Sequence, residues 1–84
     1  MIGRRTYPEK ETWVSNSKPG DYWKDERAGW MAKTPNGLIG NLANHQVIEH
    51  EDGTITVSPS ILIDCGDGLH RWHGYLEKGV WREA

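Results

Sequence analysis

Short turn sequences recur along this chain and leave no stretch long enough for a packed helix. Residues 34–37, 51–54, 66–68 and 78–79 each combine glycine with Asn, Asp or Lys, and such residues supply the positive φ angles of tight hairpins. No window of about 11 residues shows the i, i+3, i+4 apolar spacing of an amphipathic helix. The sequence therefore predicts an all-β fold, an antiparallel meander of about six to eight short strands forming a small barrel or a two-layer sheet.

The length and the aromatic content together predict one small domain. The chain has 84 residues, which suffices for a single core. Only 36% of the residues are hydrophobic, but five Trp and three Tyr each bury a large area. Residues 1–20 are polar and end in a turn-rich cluster, which predicts a loosely ordered N-terminal arm. We assign the β domain to residues 21–84.

Charge and cysteine content indicate the cellular compartment of the protein. The net charge is −2, and no apolar run reaches the roughly 18 residues of a membrane span. Arg4 and Arg5 lead into a polar stretch rather than the apolar core of a signal peptide. Cys65 is the single cysteine, which excludes an internal disulfide and fits a reducing compartment. We therefore expect a cytoplasmic protein that does not associate with membranes.

The turn at residues 51–54 predicts one strand register. A two-residue loop at residues 52–53 pairs His50 with Ile55 and Ile48 with Val57. Because side chains alternate between the faces of a strand, these four side chains share one face. We predict that this face is the core, with His50 at its rim.

The turn at residues 78–79 predicts a second register, which pairs Leu76 with Trp81 and Tyr75 with Arg82. The alternation of side chains then sorts this hairpin into two faces. The predicted inward side chains are Trp72, Gly74, Leu76 and Trp81, and the predicted outward ones are Arg71, His73, Tyr75 and Arg82. The most apolar run, residues 61–63, predicts a central strand, with Pro59 interrupting it or placing it at an edge.

One spacing is compatible with a metal site. Cys65, His70 and His73 follow the pattern C-x4-H-x2-H, and a zinc site needs three or four such ligands, so Asp64 or Asp67 would complete the set. However, His70 and His73 are an odd number of residues apart and would point to opposite faces of a regular strand. We therefore predict no cofactor and keep zinc as an alternative.

The sequence contains no assembled catalytic pattern. Cys65 is flanked by Asp64 and Asp67, whose negative charges disfavour the thiolate. The glycines occur singly at turns and form no phosphate-binding loop. We predict a protein that is not an enzyme and has no catalytic residues.

Aromatic and basic side chains point instead to binding. Tyr, Trp and Arg are the residue types that dominate protein interfaces. The predicted partner-binding residues are Arg71, His73, Tyr75 and Arg82, followed by Tyr22 and Trp23. We expect a protein partner. A barrel that binds single-stranded nucleic acid is an alternative, although the net negative charge weakens its attraction to phosphates. An open edge strand also permits weak self-association.

The segment from Gly29 to Trp81 resembles a group of short uncharacterised proteins of bacteria and their phages. The resemblance is carried by the strings DGTITVSPSI at residues 52–61, WHGYL at 72–76 and GVW at 79–81. It implies a small β fold and a phage or mobile-element setting. The looser pattern SPSI…C…H.W is similar to a second small family with candidate zinc-binding Cys and His residues. That family has further cysteines earlier in its chain, which this sequence lacks.

Overall fold

The computed structural model describes residues 1–7 and 16–84, and these residues form two four-stranded sheets. The strands are β1 (Arg4–Arg5), β2 (Asp21–Asp25), β3 (Gly29–Lys33), β4 (Ile39–Asn41), β5 (Gln46–Glu49), β6 (Ile55–Asp64), β7 (Arg71–Glu77) and β8 (Val80–Glu83). The all-β prediction is confirmed. The sheets do not close into a barrel, so the two-layer alternative is the one the chain adopts.

Each sheet follows chain order. The N-terminal sheet has the order β1-β2-β3-β4 and the C-terminal sheet the order β5-β6-β7-β8. Neighbouring strands are antiparallel except β1, which runs parallel to β2. The predicted central strand of residues 61–63 lies in β6, between β5 and β7. Its register shifts between Val57 and Ile61, around Pro59, because proline cannot donate a ladder hydrogen bond.

One hydrophobic core draws its side chains from both sheets. Its buried members are Tyr22, Ala32, Leu42, Ile55, Val57, Ile61, Trp72, Leu76 and Trp81. The rings of Trp72 and Trp81 meet edge to face, with centroids 5.2 Å apart, a favoured aromatic geometry. Five of the six aliphatic and aromatic side chains predicted to point inward from the two hairpins are therefore confirmed, and Ile48 is the exception.

The register predicted for the β5–β6 hairpin is wrong by one residue. The loop has three residues rather than two, because His50 N donates to Thr54 O at 2.8 Å and Gly53 N donates to His50 O at 3.0 Å. Gly53 has a φ of 87°, typical of a three-residue loop that ends in a glycine bulge. Ile48 and His50 consequently point outward, and Val47 takes the inward position opposite Val57.

The observed register predicts that substitutions of the adjacent residues Val47 and Ile48 differ in their effect on stability. Val47→Ala is expected to lower the free energy of unfolding by about 1–2 kcal/mol, because Val47 packs against the core. Ile48→Ala is expected to cost less than about 0.5 kcal/mol, because Ile48 is 49% exposed. Urea unfolding of the two variants measures the difference. A larger loss of stability for Ile48→Ala than for Val47→Ala would favour a two-residue loop.

The register predicted for the β7–β8 hairpin is confirmed. Leu76 lies opposite Trp81 and Tyr75 opposite Arg82. Lys78 and Gly79 both have positive φ angles, 48° and 77°, the conformation of a two-residue type I′ turn. The inward and outward side chains of β7 and β8 are those that the alternation predicted.

The first residues of the predicted N-terminal arm pair with two strands of the domain. Ile2 bridges to Val80 of β8, and Arg4 and Arg5 pair with Asp21 and Tyr22 of β2. This segment therefore contacts strands of both sheets. Residues 8–15 of the predicted arm lie outside the described residues.

Candidate functional site

The outer face of the C-terminal sheet carries four of the predicted partner-binding residues. Arg71, His73 and Tyr75 alternate along β7, and Arg82 lies on β8 directly opposite Tyr75. Their side chains point away from the core because Trp72, Leu76 and Trp81 occupy the inward positions. The structure thus brings these four residues onto one surface.

Tyr75 and Arg82 form a stacked pair on this face, between β7 and the edge strand β8. The guanidinium carbon of Arg82 lies 4.5 Å from the centroid of the Tyr75 ring, within the range of a cation–π interaction. Arg82 also forms an ion pair with Glu77 at 2.6 Å. These two contacts hold the guanidinium group across the ring while leaving it accessible to solvent.

His73 and Arg71 continue the face along β7. His73 Nε2 lies 3.0 Å from Ser60 Oγ on β6. Leu62 lies opposite His73, and Asp64 lies opposite Arg71. On β6, His73 therefore has a hydrogen-bond partner in Ser60, and Arg71 has an acidic residue at the opposite register position.

Exposed aliphatic side chains surround these polar groups. Ile48 is 49% exposed, Leu62 52% and Val80 46%, and all three point outward from the C-terminal sheet. The other large hydrophobic side chains that are exposed in residues 1–7 and 16–84 lie outside the strands of the N-terminal sheet. Solvent-facing apolar groups on strands are thus concentrated on the outer face of the C-terminal sheet.

Tyr22 and Trp23 do not belong to an exposed surface, which their predicted role in partner contact requires. Each is 1% exposed. Adjacent residues of a strand point to opposite faces, so Tyr22 lies in the core while Trp23 is buried on the other side of β2. Burial also raises the pKa of the Tyr22 phenol.

The candidate zinc ligands are not assembled into one site. Cys65 and His70 lie on the loop between β6 and β7, where Cys65 N donates to His70 O at 2.9 Å. The His70 ring contacts Asp67, while His73 faces Ser60 on the sheet. Within the described part of the chain, no group of three or more His, Cys, Asp or Glu side chains is placed to hold a metal ion.

The β6–β7 loop contains a carboxylate with a strongly lowered pKa. Asp67 accepts hydrogen bonds from the His70 side chain and from the backbone N–H groups of His70 and Leu69 at 2.8 and 2.9 Å. These bonds lower the pKa of Asp67 from 3.8 to about 2. Because this pKa is lower than in an unfolded chain, the bonds stabilise the loop above about pH 4. That contribution is lost as the pH falls toward 2.

We expect the carboxyl carbon resonance of Asp67 to titrate with a pKa of about 2. The largest cause is the hydrogen bond from the His70 side chain, so His70→Ala is expected to move the pKa upward toward 3.8. A wild-type titration centred near 3.8, or one that His70→Ala leaves unchanged, would contradict this description of the loop. Carbon-detected NMR on labelled protein makes the measurement.

Several residues of the face, among them Leu62, Glu77 and Val80, were absent from the set predicted from sequence. Leu62 lies in the middle of the apolar run 61–63, and Glu77 follows Tyr75 by two residues on β7. Strict alternation with Ile61 pointing inward would have placed Leu62 outward. The sequence signal for Leu62 was therefore present, but it was hidden by its apolar neighbours.

Comparison with known proteins assigns neither a family nor a function, because no family model, curated protein or solved structure matches the chain. In the part of the chain that the structure describes, no helix has the length and apolar character needed to cross a membrane. The chemistry of the outer face is therefore the basis for proposing a function.

Proposed function

We propose that this chain is a small, non-catalytic accessory protein that docks on a larger protein partner through the outer face of its C-terminal sheet. The observation that carries the proposal is the stacked Tyr75–Arg82 pair, bordered by exposed Leu62 and Val80. Tyr and Arg are enriched among the residues that dominate binding energy at protein interfaces. Apolar groups around them exclude water when a partner covers the face.

In the free chain, two contacts already place Arg82 across the Tyr75 ring. Glu77 and the Tyr75 ring both hold the Arg82 guanidinium. A side chain that is already ordered loses less conformational entropy on association, which otherwise costs about 0.5–1.5 kcal/mol for each long side chain. This arrangement favours binding by a preformed surface over binding by a surface that orders on contact.

The charge of the face favours a protein over a nucleic acid. Arg82 is paired with Glu77, and Arg71 lies opposite Asp64 on the neighbouring strand. Arg82 is thus neutralised by an ion pair and Arg71 has an acidic residue across the strand, and both features weaken the attraction of this face to phosphates. The net charge of −2 acts in the same direction.

The proposal includes a biological setting, a phage or another mobile element in a bacterial host. The resemblance of residues 29–81 to short bacterial and phage proteins supports an origin in a phage or another mobile element. The single Cys65 fits the reducing cytoplasm of a bacterial host. A partner would then be a bacterial protein, to which this chain adds a small β module.

The proposal predicts that a double substitution removes partner binding without unfolding the chain. Tyr75→Ala with Arg82→Ala deletes the stacked pair, and both side chains lie outside the core. A protein captured from bacterial lysate by the wild-type chain is expected to be lost, or recovered at least tenfold less, with the double variant. Quantitative mass spectrometry of the captured proteins measures the ratio.

Arg27→Ala is the matched control, because Arg27 is an exposed cation on the turn after β2, away from the C-terminal sheet. This variant is expected to recover the partner like the wild type. Equal recovery by the wild type and the double variant, with both chains folded by circular dichroism, would refute the proposed face.

A further inference from the structure

The N-terminal segment, residues 1–7, is an added strand that lies against the edges of both sheets. On β8, Trp81 N donates to Met1 O at 2.8 Å, and at the turn before β8 Gly3 N donates to Gly79 O at 2.8 Å. Toward β2, Arg4 N donates to Gly20 O at 3.2 Å. The site that receives the segment, called here the acceptor edge, is therefore formed by β2 and β8 together.

Arg5 occupies a specific site beside the acceptor edge. Its guanidinium donates to Glu49 Oε2 at 2.8 Å and to Gly53 O at 2.9 Å. It also lies over the rings of Tyr7 and Trp30, 4.6 and 4.7 Å from their centroids. A planar, charged group with several donors satisfies all these contacts, which a lysine ammonium does not.

Contacts with the domain also determine which residue types fit at the two positions before Arg5. Arg4 pairs with Asp21 at 3.2 Å, and the Asp21 side chain is almost fully buried. Gly3 has no room for a side chain: an added Cβ would lie 2.7 Å from Trp81 Nε1 and 2.8 Å from Gly20 O. The acceptor edge is thus complementary to an extended Gly-Arg-Arg sequence.

The N-terminal segment buries little apolar surface against the acceptor edge. Ile2 is 84% exposed and Tyr7 76%. Its attachment depends on backbone hydrogen bonds and on the two arginines. Segments that bury few apolar side chains open at a lower free-energy cost than the core of a domain.

We propose that the acceptor edge binds Gly-Arg-Arg segments in trans, and that the segment of a second copy of this chain is its ligand. Exchange between two copies regenerates every contact described above, so its cost is that of association alone. The chain's own segment competes at an effective concentration in the millimolar range. Exchanged dimers therefore form near 1 mM protein and are rare near 10 μM. The acceptor edge shares β8 with the outer face of the C-terminal sheet, but none of the hydrogen bonds described above involves Tyr75 or Arg82.

Complementation between two single variants of the full chain tests the proposal. Arg5→Ala has a defective segment and an intact acceptor edge, whereas Glu49→Ala has an intact segment but lacks the β5 carboxylate that receives Arg5 beside the edge. In a mixed dimer, the intact segment meets the intact edge. Sedimentation velocity is expected to show at least tenfold more dimer in the equimolar mixture than in either variant alone.

Arg5→Ala mixed with Glu51→Ala is the matched control, because Glu51 is an exposed acid of the same hairpin with no hydrogen bond to Arg5. This pair gains nothing from exchange. A complementing mixture that contains no more dimer than its separate components would overturn the proposal, provided that both variants fold.

If a variant fails to fold, the wild-type chain provides the test. After refolding at about 1 mM, it is expected to form a dimer that excess peptide of sequence MIGRRTY dissociates, because the peptide competes for the acceptor edge. The same peptide with Gly3→Val and Arg5→Ala is expected to have no effect. A chain that stays monomeric, or a dimer that MIGRRTY leaves intact, would overturn the proposal.

Discussion

Replacing Trp81 by alanine is expected to lower the free energy of unfolding by about 3–5 kcal/mol. Trp81 is buried, packs edge to face on Trp72, and donates its indole N–H to Gly20 O at 2.9 Å. Alanine leaves a cavity between the sheets and removes one of the two hydrogen bonds that Gly20 O accepts, so that only the bond from Arg4 N remains. At about 0.05–0.15 kcal/mol per residue, such a loss is a large share of the stability of a chain this size.

Trp81→Phe is the matched control for this prediction. Phenylalanine keeps an aromatic ring in the core but removes the donor to Gly20, so a smaller loss of about 1–3 kcal/mol is expected. Urea unfolding followed by far-ultraviolet circular dichroism measures both variants. A Trp81→Ala variant within about 1 kcal/mol of the wild type would mean that the packing between the sheets is not as described.

Replacing Gly74 by alanine is expected to cost about 3 kcal/mol, because a methyl group fits only if backbone or a packed ring moves. An added Cβ would lie 2.4 Å from Arg82 O on β8 and 2.4 Å from Trp72 Cη2. The first contact is with the backbone of a paired strand, and the second is with a ring held in the core by Trp81. Either shift disturbs the β7–β8 hairpin that carries the outer face.

Gly29→Ala separates this steric effect from a backbone effect. Gly29 has a φ of 77° and no atom within 4 Å of an added Cβ, so its substitution is expected to cost about 1–2 kcal/mol from conformation alone. Denaturant unfolding compares the two variants. A Gly29→Ala variant that is less stable than Gly74→Ala would contradict the close packing of Trp72 over Gly74.

The β7–β8 hairpin was predictable from sequence because its turn determines its register. Lys78-Gly79 forms a two-residue loop, and the inward and outward residues follow from that loop by alternation. The β5–β6 hairpin was not predictable in the same way. Val47 and Ile48 are both apolar, so the hydrophobic pattern is compatible with either register, and a glycine bulge at Gly53 decides between them.

The N-terminal segment carried no signal that sequence analysis could use. Its pairing with β2 is parallel and joins residues 17 positions apart, and its side chains have no apolar alternation. What holds it is a fit between Gly3 and Trp81 and between Arg5 and Glu49. Both contacts depend on a tertiary arrangement that no local pattern specifies.

The outward positions on β7 and β8 could be predicted from the alternation of side chains. The burial of Tyr22 and Trp23 could not. Arg71, His73, Tyr75 and Arg82 point outward as expected. Tyr22 and Trp23 also have the residue types of a binding surface, but composition alone does not distinguish a buried aromatic ring from an exposed one.

Hydroxyl-radical footprinting of the chain, free and in complex with its captured partner, tests the proposed docking face most directly. Leu62 and Tyr75 are expected to be oxidised in the free chain and at least tenfold less in the complex. Tyr7, an exposed side chain on the N-terminal segment, is expected to react equally in both. Unchanged oxidation of Leu62 and Tyr75 in the complex would contradict docking through the outer face of the C-terminal sheet.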